Sequence, residues 1–340
     1  LMQGMLSLLL FAGALHVDLS ELKAYKWQVG ILAVFGTLAS TVLVALGLWV
    51  ILSYIGIALP LSYCLIFGAL ISPTDPIAVM GILKSAGAPK SLEIVIAGES
   101  LFNDGIGVVL FTLMLAMVAS GKAPTATHGA ILLLKEGGGG IVFGLVLGYV
   151  TYRMLKSIDS YQEEVLITLA SVLGGYALAS RLHVSGPLAM VVVGLIIGNH
   201  GRELAMSDKT REHLDMFWEL LDSILNAVLF VLIGLEVILI KFSASMALAA
   251  TAVIAITLAA RLVSVGAPIG LLPRVFKLPQ GALQLLTWGG LRGGISVALA
   301  LSLPNGPERN LVLALTYAVV VFSILVQGMS IGKVARRHCG

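Results

Sequence analysis

Two carboxylates lie in a stretch of the chain that is otherwise strongly apolar. From residue 94 to residue 120 the only ionisable side chains are Glu99 and Asp104, in the sequence GESLFNDGIG. A charged side chain at the centre of a bilayer costs at least about 2.5 kcal/mol, so both groups need a cation, a proton or a counter-charge. On a helix they lie about 140° apart, whereas Ser100 and Asp104 are neighbours one turn apart. One carboxylate can therefore hold a permanent counter-ion while the other faces a water-filled cavity.

A third carboxylate lies between two prolines. No charged residue separates Lys26 from Asp75, which stands in the sequence SPTDP. Each proline removes a backbone donor, so the helix must break here and free carbonyl groups such as that of Thr74. Unwound backbone is tolerated at membrane depth only where it is buried in protein or lines a cavity. The alternative is a kinked helix in which Asp75 caps the second half-helix, and the two roles are compatible.

Two arginines also fall inside apolar segments. Arg261 is the only charge between Lys241 and Arg274, and an unpaired guanidinium there would be costly. Its expected partner is Glu99 or Asp104. Arg292 stands among four glycines in the sequence WGGLRGG, which predicts a second broken helix. One broken helix in each half of the chain is typical of inverted-repeat transporters with a site near the midplane.

The composition requires that most of these elements cross a membrane. The 340 residues are 58% hydrophobic and only 11% charged, with a mean hydropathy of +1.01. A soluble domain has roughly 25% charged residues, so we predict an all-α polytopic membrane protein. The two cysteines, Cys64 and Cys339, fit no metal or disulfide pattern.

Apolar runs predict eleven helices, and the loop charges give them an orientation. The runs are 1–16, 29–52, 61–84, 91–119, 130–153, 161–181, 185–200, 213–240, 245–270, 278–303 and 308–332. With loops assigned to alternating sides, 14 of the 21 basic residues fall on one side and 5 on the other. The positive-inside rule makes the first side cytoplasmic. We thus expect cytoplasmic helix ends near Lys23, Lys84, Arg153, Arg202, Arg274 and Arg336.

The order and spacing of SPTDP, GESLFNDG and GGLRGG resemble the monovalent cation:proton antiporters of the NhaP/NHE type. The resemblance covers essentially the whole chain and implies an inverted-repeat antiporter fold with two crossing discontinuous helices. It also implies a homodimer and two further helices before residues 1–16. The lack of a long tail after Arg337 resembles bacterial members. The implied domains are a dimerisation-domain helix (1–28), the first half of the core transport domain (29–119), a linker helix (120–155), the dimerisation domain (156–240) and the second half of the core (241–340).

The same resemblance assigns a role to each motif residue. Asp104 would bind either protons or the cation (Na+ or K+), and Asp75 would neighbour the helix crossing. The backbone of Thr74 and the hydroxyl of Ser100 would lie near the ion. Asn103 takes the position of a second aspartate in electrogenic relatives, which implies electroneutral one-for-one exchange.

Outside this set, the resemblance implies two structural roles. Glu99 and Arg261 match the buried ion pair of the family. Arg292 matches the arginine of the second crossing helix.

The expected function is therefore secondary transport and not enzymatic catalysis. The chain would exchange Na+, K+ or Li+ for H+ across the plasma or inner membrane, for pH and sodium homeostasis. A K+/H+ antiporter is the alternative. Two further alternatives are a cation channel with an acidic filter and a membrane sensor or structural subunit. Expected partners are a second copy of the chain, the lipid bilayer, monovalent cations and protons, with no cofactor and no nucleic acid.

Overall fold

The computed structural model describes residues 2–120, 131, 134–202, 206–239 and 244–339. The first part of the predicted linker helix 120–155, the boundary at 240/241, and the side chains of Lys122 and Lys241 lie outside the described residues. Regular structure in the described part is helical, and its only β feature is one isolated bridge between Asp75 and Leu291. The all-α prediction is confirmed.

Fourteen helices make up this part of the chain. They are α1 (Met2–Leu15), α2 (Leu19–Ala24), α3 (Lys26–Ile55), α4 (Leu61–Ile71), α5 (Ile77–Ser85), α6 (Lys90–Ser120), α7 (Leu134–Leu155), α8 (Tyr161–Arg181), α9 (Gly186–Gly201), α10 (Asp208–Leu239), α11 (Ala244–Leu271), α12 (Ala282–Trp288), α13 (Gly294–Leu301) and α14 (Pro307–Arg337). Among the described residues, six of them (α3, α6, α7, α8, α11 and α14) are long and apolar enough to cross a membrane.

Two predicted helices are interrupted where the sequence places prolines or glycines. The predicted helix 61–84 is α4 and α5, separated by residues 72–76, because Pro73 and Pro76 cannot donate to a continuing helix. The predicted helix 278–303 is α12 and α13, separated by residues 289–293, which include Gly289 and Gly290. The short helix α2 was not predicted, since its six residues carry little periodicity.

The chain divides into two compact units. The first comprises Leu1–Lys23 and Pro124–Phe230. Its core is built around Trp218 of α10, whose ring lies 4.5 Å from that of Phe11 and whose indole N–H donates to the hydroxyl of Thr168 at 3.2 Å. Leu155 and Leu214 are fully buried in the same cluster.

The second unit comprises Ala24–Ala123 and Val231–Gly340 and holds both interrupted segments. Helix α3 runs against α4 so closely that a Cβ added at Gly68 would overlap the carbonyl oxygen of Thr41. An apolar cluster that includes Leu83, Leu92 and Leu285 packs α5, α6 and α12 together. All the candidate site residues therefore belong to one compact unit.

Candidate functional site

The two interrupted segments meet backbone to backbone. The amide of Asp75 donates to the carbonyl of Leu291 at 2.8 Å, and this bond forms the isolated bridge. A Cβ added at Gly293 would overlap the carboxylate of Asp75. Glycine at position 293 thus allows the second segment to approach the Asp75 side chain directly.

A buried hydrogen-bond network joins the first break to helix α6. The Thr74 and Ser100 hydroxyls are 2.9 Å apart. The amide oxygen of Asn103 accepts the Thr74 backbone N–H at 3.2 Å, and its NH2 group donates to the Thr74 hydroxyl at 2.9 Å. These contacts also determine which way the Asn103 amide points, because the Thr74 N–H needs an acceptor. Both polar ends of Asn103 are therefore engaged with Thr74.

Glu99 is bonded to a single cation. Arg261 of α11 donates from Nη1 to Glu99 Oε1, and from Nη2 to Glu99 Oε2 at 2.8 Å. The carbonyl of Leu286 accepts from Nε and Nη2 of Arg261 at 3.2 and 3.1 Å. Glu99 is 1% exposed and Arg261 6%, so this bidentate pair is almost completely buried. Of the two partners expected for Arg261, the structure selects Glu99 and leaves Asp104 out.

Arg292 binds carbonyl oxygens and no carboxylate among its described hydrogen bonds. Its Nη1 donates to the carbonyl of Ser72 and, at 2.8 Å, to that of Pro73. Its own backbone N–H donates to the hydroxyl of Ser323 at 2.8 Å. The carbonyls at the end of α4 carry the partial negative charge of a helix C-terminus, which a guanidinium complements. Arg292, which lies in the second interrupted segment, therefore holds the backbone of the first one in place.

Asp104 differs from the other buried charges described in the second unit, which are Glu99, Arg261 and Arg292. It is 6% exposed, and within the described part of the chain its carboxylate accepts no hydrogen bond. The charges that act on it are those of Asp75 and Glu99, which disfavour a further negative charge, and Arg292, which favours one. A carboxylate in this position is available to a proton or to a cation.

The donor set suits a hard monovalent cation. Carboxylate, hydroxyl and backbone oxygens are present at the break, and these are the ligands that alkali cations share with other hard ions. In the described residues no group of three or more His, Cys, Asp or Glu side chains is arranged to hold a metal ion. These oxygen ligands are of the kind that could accept a monovalent cation or a proton.

Sequence reasoning did not single out the hydroxyl groups of α3 that touch this region. Ser40 and Thr41 lie beside Ser72, 2% and 3% exposed respectively. The available signal was the presence of adjacent hydroxyl residues, together with Thr37, in a helix whose other residues are almost all apolar. Ser323, which receives the Arg292 amide, carried no signal of its own in the sequence.

Comparison with known proteins gives consistent matches along the chain. The family model described as "Sodium/hydrogen exchanger, transmembrane" matches residues 1–337. The Na+/H+ antiporter NhaP of Pseudomonas aeruginosa is 57% identical over 99% of this chain and 80% of its own length. The Na+/H+ antiporter NhaH of Halobacillus dabanensis is 37% identical over 98% of this chain and 81% of its own.

One solved structure has the same fold. The sodium proton antiporter MjNhaP1 from Methanocaldococcus jannaschii, at pH 8, superimposes with a TM-score of 0.80. The match covers 99% of this chain and 84% of that one, at 20% sequence identity.

Proposed function

Because the chain belongs to the sodium/hydrogen exchanger family, we propose that it is a multi-pass secondary transporter that exchanges Na+ for H+ at Asp104. The observation that carries the proposal is the difference between the two α6 carboxylates. Glu99 is neutralised by Arg261, whereas Asp104 is buried and accepts no hydrogen bond in the described residues. Asp104 is therefore the group that a transported ion can neutralise.

Exchange follows from competition for one carboxylate. A proton and a Na+ ion each cancel the charge of Asp104, and they cannot both occupy it. Ligands for Na+ would be Asp104, the Ser100 hydroxyl and the backbone at Thr74, with Asp75 adjacent across the break. We assume that the unit changes conformation only when the charge of Asp104 is neutralised. Either a proton or a Na+ ion can neutralise it and so favour the change. Each conformational change therefore carries one ion across. A charged, empty site does not cross, and exchange is obligatory.

One-for-one, electroneutral exchange is part of the proposal. Asn103 brings no charge to the site, and both its polar groups bond to Thr74. Asp104 thus takes up one positive charge per passage in either direction. An imposed membrane potential should then leave the exchange rate unchanged, whereas exchange of two protons per cation would respond to the potential.

The choice between Na+ and K+ is decided by assay. Both ions use the same donor types, so a K+/H+ antiporter is the second candidate.

We further propose that the protein works as a homodimer in the plasma or inner membrane, that the helix ends near Arg153 and Arg274 are cytoplasmic, and that the exchange supports pH and sodium homeostasis. The first unit, which also contains most of the predicted linker helix 120–155, would hold the dimerisation domain, and the second unit would be the transport domain.

The decisive experiment is proton movement in proteoliposomes. Purified protein is reconstituted with a pH dye inside, and NaCl, LiCl or KCl is added across a pH series. Added Na+ should enter the vesicles in exchange for internal H+, so we expect the interior to become more alkaline, and no such change with Asp104→Asn. Asp18→Asn is the matched control, because Asp18 is an exposed carboxylate that accepts the backbone N–H groups of Ser20 and Glu21, and asparagine can serve the same capping role. Full exchange by Asp104→Asn would refute the proposal.

A further inference from the structure

A cluster of three hydroxyl groups lies where α3 meets the end of α4. The Ser72 hydroxyl is 3.0 Å from the Ser40 hydroxyl and 2.7 Å from the carbonyl of Gly68, to which it donates. It also accepts from the hydroxyl of Thr41 at 3.3 Å. All three hydroxyl residues are at most 3% exposed. The α3 hydroxyls therefore bond to another helix in a region that excludes solvent.

Other buried hydroxyls of the same unit behave differently. Those of Thr257 and Thr316 donate to the carbonyl four residues back in their own helices, at 2.8 and 2.7 Å. This is the usual way for a threonine in an apolar helix to satisfy its hydroxyl. Because Ser40 and Thr41 make interhelical bonds instead, they constrain the position of α4 relative to α3. The constraint acts where the backbones already touch, at Gly68 and Thr41.

Ser72 is the residue that connects this contact to the cation site. Arg292 binds its carbonyl from the other side, together with the carbonyl of Pro73. The next link, Pro73, has a fixed φ and little freedom, and Thr74 follows it. A rotation of the backbone at Ser72 would be transmitted through Pro73 and would move Thr74 away from Ser100 and Asn103.

We propose that Ser40 and Thr41 are positioning residues for the cation site. They hold Ser72 so that the Thr74 hydroxyl and backbone stay against Ser100, within reach of an ion bound at Asp104. This role rests on the proposed exchange function. It adds α3, which carries none of the motif residues, to the helices that shape the cation site. They act on cation affinity, not on the charge that is transported.

The test separates cation affinity from turnover. The double variant Ser40→Ala/Thr41→Val removes both interhelical bonds, and exchange is measured in proteoliposomes over a range of Na+ and Li+ concentrations. We expect the KM for Na+ to rise roughly tenfold, as for two lost buried hydrogen bonds, with a nearly unchanged maximal rate. The single variant Thr41→Ser keeps the hydroxyl and should have the wild-type KM for Na+.

The matched control is Thr316→Val, which makes the same change at a fully buried threonine whose hydroxyl, in the described part of the chain, bonds only within its own helix. Its KM should equal that of the wild type. If the double variant does not fold, the single variants Ser40→Ala and Thr41→Val are compared, each with an expected rise of about threefold.

Two outcomes overturn the proposal. A folded double variant with a wild-type KM shows that the hydroxyls do not position the site, and an equal rise in Thr316→Val shows a general packing effect. Both leave the exchange function intact. A wild-type protein that exchanges no monovalent cation refutes the exchange function itself, and the positioning role with it.

Discussion

Replacing Glu99 by alanine removes one partner of a buried ion pair and leaves the other in place. Arg261 would keep only the carbonyl of Leu286 as an acceptor, and at 6% exposure it could not recover its hydration. The guanidinium also cannot release its proton to become neutral. Glu99→Ala should therefore destabilise the second unit strongly, while the Asp104 site retains its own ligands.

The size of the effect follows from this geometry. Leaving one member of a buried pair without its partner typically costs about 3–5 kcal/mol. At about 2–4 °C per kcal/mol for a domain of this size, the apparent melting temperature should fall by roughly 6–20 °C. The ratio of the KM values for Na+ and Li+, measured below the melting transition, should stay at the wild-type value because Glu99 is not a ligand in the proposed mechanism.

The assay is thermal unfolding of the purified protein followed by tryptophan fluorescence. A matched control is Asp215→Ala in the first unit, because Asp215 pairs with Arg202 while their side chains are 33% and 23% exposed. Partly exposed pairs contribute at most about 1 kcal/mol, so this variant should melt within a few degrees of the wild type. Both variants delete a carboxylate from an arginine pair, and the pairs differ in burial. Glu99 also accepts from the Asn103 NH2 group at 3.4 Å, and Asp215 also lies 4.0 Å from Nε2 of His16.

A double variant tests whether the loss of stability comes from the unpaired Arg261. Glu99→Met combined with Arg261→Leu removes both charges, and replacing a buried pair by apolar side chains is often neutral or stabilising. It should recover most of the lost stability. A Glu99→Ala protein with an unchanged melting temperature, or a double variant that melts as low as the single one, would show that the pair does not stabilise the unit.

Three further outcomes are expected. The KM for Na+ should rise about tenfold for each unit fall in pH while Asp104 is mainly protonated, and should become pH-independent at higher pH, because one site binds both ions. Initial exchange rates over a range of pH values and Na+ concentrations measure this KM. A KM that stays constant over the whole pH range would contradict the prediction. Gly107→Ala should abolish folding or exchange because its Cβ would overlap the ring of Pro73, whereas Gly81→Ala, with no atom within 4 Å, should be tolerated; membrane expression and transport assays distinguish the two. Glu164→Gln should raise the melting temperature by a few degrees, since within the described residues neither carboxylate oxygen of this fully buried side chain has a hydrogen bond of good geometry and burying an uncompensated charge is costly; a lower melting temperature would show that the charge is needed.

Local features of the sequence predicted where the helices break. Pro73 and Pro76 remove donors at fixed positions, and the glycines on both sides of Arg292 remove side chains. Both breaks fall within two residues of these positions in the structure. A proline or glycine acts on its own turn of helix, so its effect can be read without knowing the fold.

Contacts between distant segments could not be predicted in the same way. The sequence required a partner for Arg261 but left Glu99 and Asp104 as alternatives, because both lie on α6 one or two turns apart. The choice depends on which face of α6 meets α11, and that is decided by packing. Likewise, the binding of Arg292 to the carbonyls of Ser72 and Pro73 joins residues about 220 positions apart, and no sequence spacing indicates it.

The arrangement of the buried charges explains how a site can be stable and still bind an exchangeable ion. In the described part of the second unit, Glu99 and Arg261 satisfy each other, and Arg292 is satisfied by carbonyl oxygens. A charge whose hydrogen bonds are complete gains little from an added ion, so these groups can stay fixed while the site fills and empties. Asp104 accepts no such bonds within the described residues, so a bound ion or proton would compensate its burial. In the proposed mechanism, that difference confines exchange to one carboxylate, so cation and proton must alternate.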